Sequence, residues 1–159
     1  MSMTFRVQLV GVTKPPIWRK IVTPNTATFF DLHEAIQVAF GWCGYHLWCF
    51  SEKKRPRDGW LIECDEADDG FQDCGYDSCG LPNLDTPLRD VITLRPFYYT
   101  YDFGDNWLCS VKILAVDEKP CERCTCIDGK GEEPGEDIGG VWGLMERRAG
   151  RMPEDDDDF

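Results

Sequence analysis

At 159 residues, with 42% hydrophobic and 13% aromatic content, the chain is long enough to bury a core and short enough to be one domain. A net charge of −12 excludes the nonspecific pull toward DNA, RNA or anionic membrane that clustered cations would supply. No run approaches the length of a bilayer span, and Met1 to Arg6 lacks the basic start and apolar core of a signal peptide. The expectation is therefore a soluble cytoplasmic protein whose nine cysteines are reduced thiols or metal ligands.

Phe5 to Val10 alternates apolar and polar residues, which predicts a first strand; Pro15-Pro16 holds the next segment extended and leads into a second, Ile17 to Val22. Trp18 is expected as a sheet-face or core anchor. Thr28 with Asp31 three residues later resembles a capping box, opening a helix to Phe40 with Phe29, Leu32 and Ile36 on one stripe, His33 at its edge and Gly41 as the stop. Trp42 to Phe50 reads as a loop and a third strand carrying His46, and Trp60 to Cys64 as a short fourth strand. Between those strands lies a basic turn, Lys53 to Arg57, expected to be solvated. Asp65 to Leu84, rich in Asp, Gly and Cys without a sustained period, reads as an insert or long loop. Thr86-Pro87 then starts a short helix.

The stretch Phe97 to Val116 reads as the central hairpin, because aromatic and β-branched residues fill both arms. A three-residue loop, Gly104-Asp105-Asn106, would pair Phe103 with Trp107, Tyr101 with Cys109, Tyr99 with Val111 and Phe97 with Ile113, making one face wholly apolar. Tyr98, Thr100 and Asp102 would then face water. Beyond Val116 the pattern predicts a polar, glycine-rich connection, then a final helix over 136–150 with Glu136 and Asp137 at its positive end.

Two residue sets could carry chemistry. Cys121, Cys124 and Cys126 lie within six residues and could wrap a structural zinc, completed by Cys74 or Cys79 of the insert, or by Cys64; the alternative is a set of reduced thiols. His46, Asp102, Asp105, Glu136 and Asp137, with Trp107 beside the hairpin tip, form the second set. Imidazole plus carboxylates suits a hard-cation or hydrolytic centre, and the alternative is that the acids cap a turn and a helix. No nucleophile elbow, phosphate loop or dinucleotide fingerprint is present.

Several blocks stand in order: Lys14 to Ile21, Leu32-His33 to Gly41-Trp42, His46 to Phe50, Tyr101 to Trp107, and Pro134 to Gly143. Together they resemble the plasmid pRiA4b ORF-3-like family, also known as a passenger resolvase-like family of insertion elements, over residues 5–149. The resemblance implies an α+β domain of bacteria, archaea and their mobile elements, and no established activity. Where the family usually reads Cys-Pro-Pro-Glu-Asp-Cys-Gly-Gly, this chain has Glu133-Pro134-Gly135-Glu136-Asp137-Ile138. The resolvase label does not fit a chain this acidic, whose Ser51, Ser78 and Ser110 stand in ordinary contexts, so serine recombinase chemistry is not expected.

The expected architecture is one α+β domain over residues 1–150, a mainly antiparallel sheet packed by two or three helices with a cysteine-rich insert, followed by an acidic disordered tail over 151–159. Three functions remain open. The first is an interaction module engaging a protein partner through aromatic residues with an acidic rim, and it asks least of the sequence. The others are a metal-dependent hydrolase built on the histidine–carboxylate set, and an acidic nucleic-acid mimic acting on a basic DNA-handling protein.

Overall fold

The alternation of Met3, Phe5, Val7 and Leu9 puts these side chains on one face of strand β1 (Ser2–Leu9), and all four are buried. In the computed structural model, which describes residues 1–64 and 82–151, β1 lies inside an antiparallel sheet between β2 (Trp18–Pro24) and β6 (Trp107–Asp117). The other strands are β3 (Trp48–Ser51), β4 (Leu61–Glu63), β5 (Phe97–Tyr101) and β7 (Thr125–Lys130). The order across the seven-stranded sheet is β4-β3-β5-β6-β1-β2-β7. With the two α-helices of the described residues added, the fold is compatible with the α+β expectation. Of the cysteine-rich insert expected over 65–84, residues 65–81 lie outside the described residues, as does the tail beyond 151.

Helix α1 (Phe29–Phe40) begins where the capping box predicts. Thr28 Oγ1 accepts from the Asp31 amide, and the Asp31 carboxylate accepts from the Thr28 amide. Gly41, left-handed at φ 74°, ends it. Phe29, Leu32, Ile36 and Phe40 are fully buried, each stabilising the fold by roughly 1.5–3 kcal/mol. Phe29 meets Phe50, Trp60 and Phe97 edge-on, which joins the helix to β3, β5 and the start of β4. His33, expected at the edge of the stripe, is buried on it.

The central hairpin forms in a different register from the one the pattern predicts. Tyr101 pairs with Trp107, Tyr99 with Cys109 and Phe97 with Val111, so the connection is five residues, 102–106, and each partner is two residues earlier. A shift of two keeps the faces: Phe97, Tyr99, Tyr101 and Trp107 all point into the core. Phe103, expected opposite Trp107, instead stands in the loop at 47% exposure. The cause is Asp102, which turns left-handed at φ 61° and stops the strand. Its Oδ1 accepts from the amides of Gly104 (3.1 Å) and Asp105 (3.3 Å), folding the loop around the carboxylate. Thr100 and Asp102, expected in water, are both buried.

Two further differences concern the C-terminal third. β7 occupies part of the stretch read as an irregular connection, pairing with β2 at the sheet edge. Helix α2 (Gly140–Arg148) starts after Glu136 and Asp137, not at them. Its final arginines grip the segment before it: Arg147 donates to the carbonyls of Glu133 and Pro134, and Arg148 forms a bidentate pair with Glu132, 2.8 Å on each side. That pairing holds the Glu132 carboxyl down at about 2. These contacts aim the residues between β7 and α2 at the hairpin tip.

Candidate metal centre

Three loops meet at the hairpin end of the sheet. Residues 41–47, between α1 and β3, carry His46; the hairpin loop carries Asp102 and Asp105; the segment before α2 carries Glu136 and Asp137. Backbone bonds fix their meeting. The Asp102 amide donates to the Leu47 carbonyl (2.8 Å), and the Gly139 amide donates to Asp105 Oδ2 (3.1 Å). Gly140 permits this docking, since at φ 65° a Cβ there would collide with the Asp105 carbonyl oxygen. Trp42 Nε1 donates to the Gly135 carbonyl at 3.0 Å, tying the first loop to the third.

His46 Nε2 lies 2.8 Å from Asp137 Oδ1, 3.5 Å from Asp102 Oδ2 and 3.6 Å from Glu136 Oε2. It is a buried nitrogen with no aligned hydrogen-bond partner: even the short approach of Asp137 lies off the direction an imidazole N–H would need. Among the described residues, no Lys or Arg pairs with these carboxylates. Donor atoms of His46, Asp102 and Asp137 all lie within 4.8 Å of one another, the only such set of three or more His, Cys, Asp or Glu among the described residues. Asp102 and Asp137 both hold left-handed backbone, φ 61° and 55°, a conformation that costs an L-residue about 1–2 kcal/mol and is tolerated best by Asp and Asn.

Glu136 is held differently. Its Oε1 accepts from the Cys43 amide and the Tyr101 hydroxyl, each at 2.9 Å, and the same hydroxyl lies 3.1 Å from Oε2. The Tyr45 amide in turn donates to the Tyr101 oxygen at 3.1 Å. Burial, then the bond to Glu136, pushes the Tyr101 phenol well above its ordinary range, so it stays a donor. Glu136 is thus anchored through Oε1 and presents Oε2 to the centre.

Of the sequence-predicted residues, His46, Asp102, Glu136 and Asp137 converge. Asp105 sits one step away as the link to Gly139, and Trp107 lies fully buried in the core with its indole N–H unpartnered. Cys121 and Cys126 turn their thiols to the backbone carbonyls of Arg123 (3.0 Å) and Asp128 (3.4 Å). Cys124 is pushed up to about 12, by burial first and by Asp31 and Cys121 after it. Cys74 and Cys79 lie outside the described residues, and Cys64 accepts from the Trp48 amide. Sequence reasoning missed Tyr101 and the Cys43 amide. A tyrosine in an otherwise apolar inward row is the signal for the first, since its hydroxyl needs a partner there.

Comparison with known proteins gives the family and the fold. The family model described as plasmid pRiA4b ORF-3-like protein matches residues 1–158. The uncharacterized protein y4hQ of Sinorhizobium fredii is 35% identical over 135 residues, which cover 84% of this chain and 64% of that relative. The chain thus spans less than two thirds of the curated relative it matches. The crystal structure of the protein of unknown function MM3350 from Methanosarcina mazei Go1 superposes with a TM-score of 0.70 at 37% identity, covering 93% of this chain and 80% of that one.

Proposed function

The chain belongs to the plasmid pRiA4b ORF-3-like family, and from that premise we propose that it binds a divalent cation through His46, Asp102 and Asp137 and uses it in hydrolysis. One observation carries the reading: a buried imidazole nitrogen without an aligned partner faces oxygens of three carboxylates that no Lys or Arg among the described residues offsets. Left so, the cluster repels itself and leaves a polar atom unsatisfied, and a cation relieves both. One nitrogen with several oxygens and no thiolate suits Mn(II), Fe(II) or Zn(II) better than the all-oxygen preference of Ca(II).

A cation held here would supply Lewis acidity for hydrolysis. His46, Asp102 and Asp137 would hold it. Glu136, fixed by Tyr101 and the Cys43 amide, offers Oε2 as the proton acceptor on the same side. Tyr101 positions that carboxylate and takes no part in the chemistry itself.

The test is elemental analysis of purified protein together with calorimetric titration of the stripped protein with Mn(II) and Zn(II). One equivalent of metal is expected, lost in Asp102→Asn and in Asp137→Asn and kept in Cys124→Ser. Metal that survives both carboxylate changes but leaves with Cys124→Ser would sink the reading in favour of a thiolate site.

A further inference from the structure

Large apolar side chains stand in water on the segments that carry the centre. Tyr45 is 77% exposed and Trp142 69%, with Phe103 and Leu47 at 47% and 40%. Each belongs to a segment that builds the cluster. The Tyr45 amide is bonded to the Tyr101 hydroxyl, the Leu47 carbonyl accepts from Asp102, and Phe103 follows Asp102 in its turn. The Trp142 ring borders Gly139, whose amide is on Asp105. Single exposed apolar residues are ordinary on a protein surface; a group of them on the loops of one polar centre is the arrangement of a recognition surface.

Its charge narrows what it recognises. Asp102, Asp105, Glu136 and Asp137 together outweigh one dication, so the centre stays net negative when loaded, on a chain that is itself at −12. Nucleic acid and other polyanions are repelled by such a surface. A cationic side chain is drawn to it twice, by the carboxylates and by the faces of Trp142, Tyr45 or Phe103.

Resting on the metal-centre reading, we propose that this surface takes a polypeptide segment in which a Lys or Arg is flanked by apolar residues. The cation is presented to Asp105, beside the loaded centre, and the flanks are buried against the exposed aromatic side chains. Aromatic anchors beside a polar focus are where binding energy concentrates in protein interfaces.

The probe is a positional-scanning decapeptide library on metal-loaded protein, followed by titration of the selected peptide, with metal content read by mass spectrometry on the same sample. Enrichment of Lys or Arg beside aromatic or aliphatic residues is expected. The selected peptide should bind at least tenfold more weakly to Trp142→Ser/Phe103→Ser and to Tyr45→Ser, and more weakly in high salt, at unchanged metal content. A library without that preference, a preference for acidic peptides, or equal affinity in these variants overturns the surface while leaving the metal centre standing. Absence of metal from the wild-type sample fells the centre instead, and the two failures are read separately.

Discussion

The chain has two histidines, and they occupy opposite electrostatic circumstances. His33 lies in the core, stacked on Trp48 with ring centroids 3.7 Å apart, its Nδ1 2.7 Å from the Tyr99 hydroxyl, which also accepts from Gln37 Nε2 at 2.8 Å. His46 lies at the sheet end among three carboxylates, its Nε2 buried and unpartnered. Adjacent inward positions of one strand serve both, since Tyr99 anchors the first network and Tyr101 the second. The difference teaches how to tell a structural polar group from a functional one. At His33 the buried ring nitrogen has a partner in the Tyr99 hydroxyl; at His46 the buried nitrogen has none, and the imbalance left among three carboxylates has the sign of a missing cation.

The sharpest way to break this comparison is to remove the two imidazoles in turn. Saturating Mn(II) or Zn(II), at a hundred times its dissociation constant, is expected to stabilise the wild type by about 2.7 kcal/mol through mass action. His46→Gln should abolish that gain. His33→Gln should lower the starting stability yet keep the whole metal-induced shift. Thermal unfolding with and without metal checks both, and a metal response lost in His33→Gln but kept in His46→Gln would reverse the assignment.

Acid separates the two regions next. Burial lowers His33 from its ordinary 6.5 to about 4, so between those values the unfolded chain binds a proton that the folded one refuses. Stability is therefore complete above pH 6.5 and is lost as pH falls toward 4, by roughly 3 kcal/mol in all. The depressed Glu132 adds its own loss only below its ordinary 4.5, on the way down to about 2. Urea titrations of metal-free protein between pH 7 and 4.5 stay above the Glu132 window, and His33→Gln should flatten the slope there. A slope that persists in that variant assigns the acid sensitivity elsewhere.

How much of this was legible in the sequence differs between the same two regions. α1 was, because Thr28 and Asp31 form the expected cap and Phe29, Leu32 and Ile36 repeat at helical spacing. So were the buried faces of the hairpin, which survive any even shift of register. The register itself was not, because apolar pattern cannot report that the Asp102 carboxylate would fold the loop around itself. β7 was hidden for a simpler reason: all six of its residues are exposed at a sheet edge, so no apolar alternation marks it. At the centre, His46, Asp102, Glu136 and Asp137 could be named from their residue types and their distinctive blocks. Their meeting depends on Gly140 against Asp105 and on the grip of Arg147 on residues 133 and 134, both long-range contacts. Tyr101 hid among rings that read as core.

The finest test pairs the two tyrosines. Tyr99→Phe leaves His33 Nδ1 and Gln37 Nε2 facing each other without the hydroxyl between them, in a place water does not reach, and should cost about 1–3 kcal/mol. Tyr101→Phe takes one of two donors from Glu136, which keeps the Cys43 amide and sits near solvent, so its cost to stability should be about 1 kcal/mol or less. Metal affinity should move the other way. Tyr99→Phe reaches the centre only at second hand, through Gln37, whose Oε1 accepts from the Gly44 amide of the His46 loop at 2.8 Å, and should change the dissociation constant little. Tyr101→Phe frees Glu136 to shift and should alter it by about tenfold, the scale of an outer-sphere partner. Denaturant midpoints and calorimetric titration on the two variants would therefore cross. Parallel changes in both measurements would mean that the two tyrosines serve one continuous network, and that the boundary drawn here between core and centre does not exist.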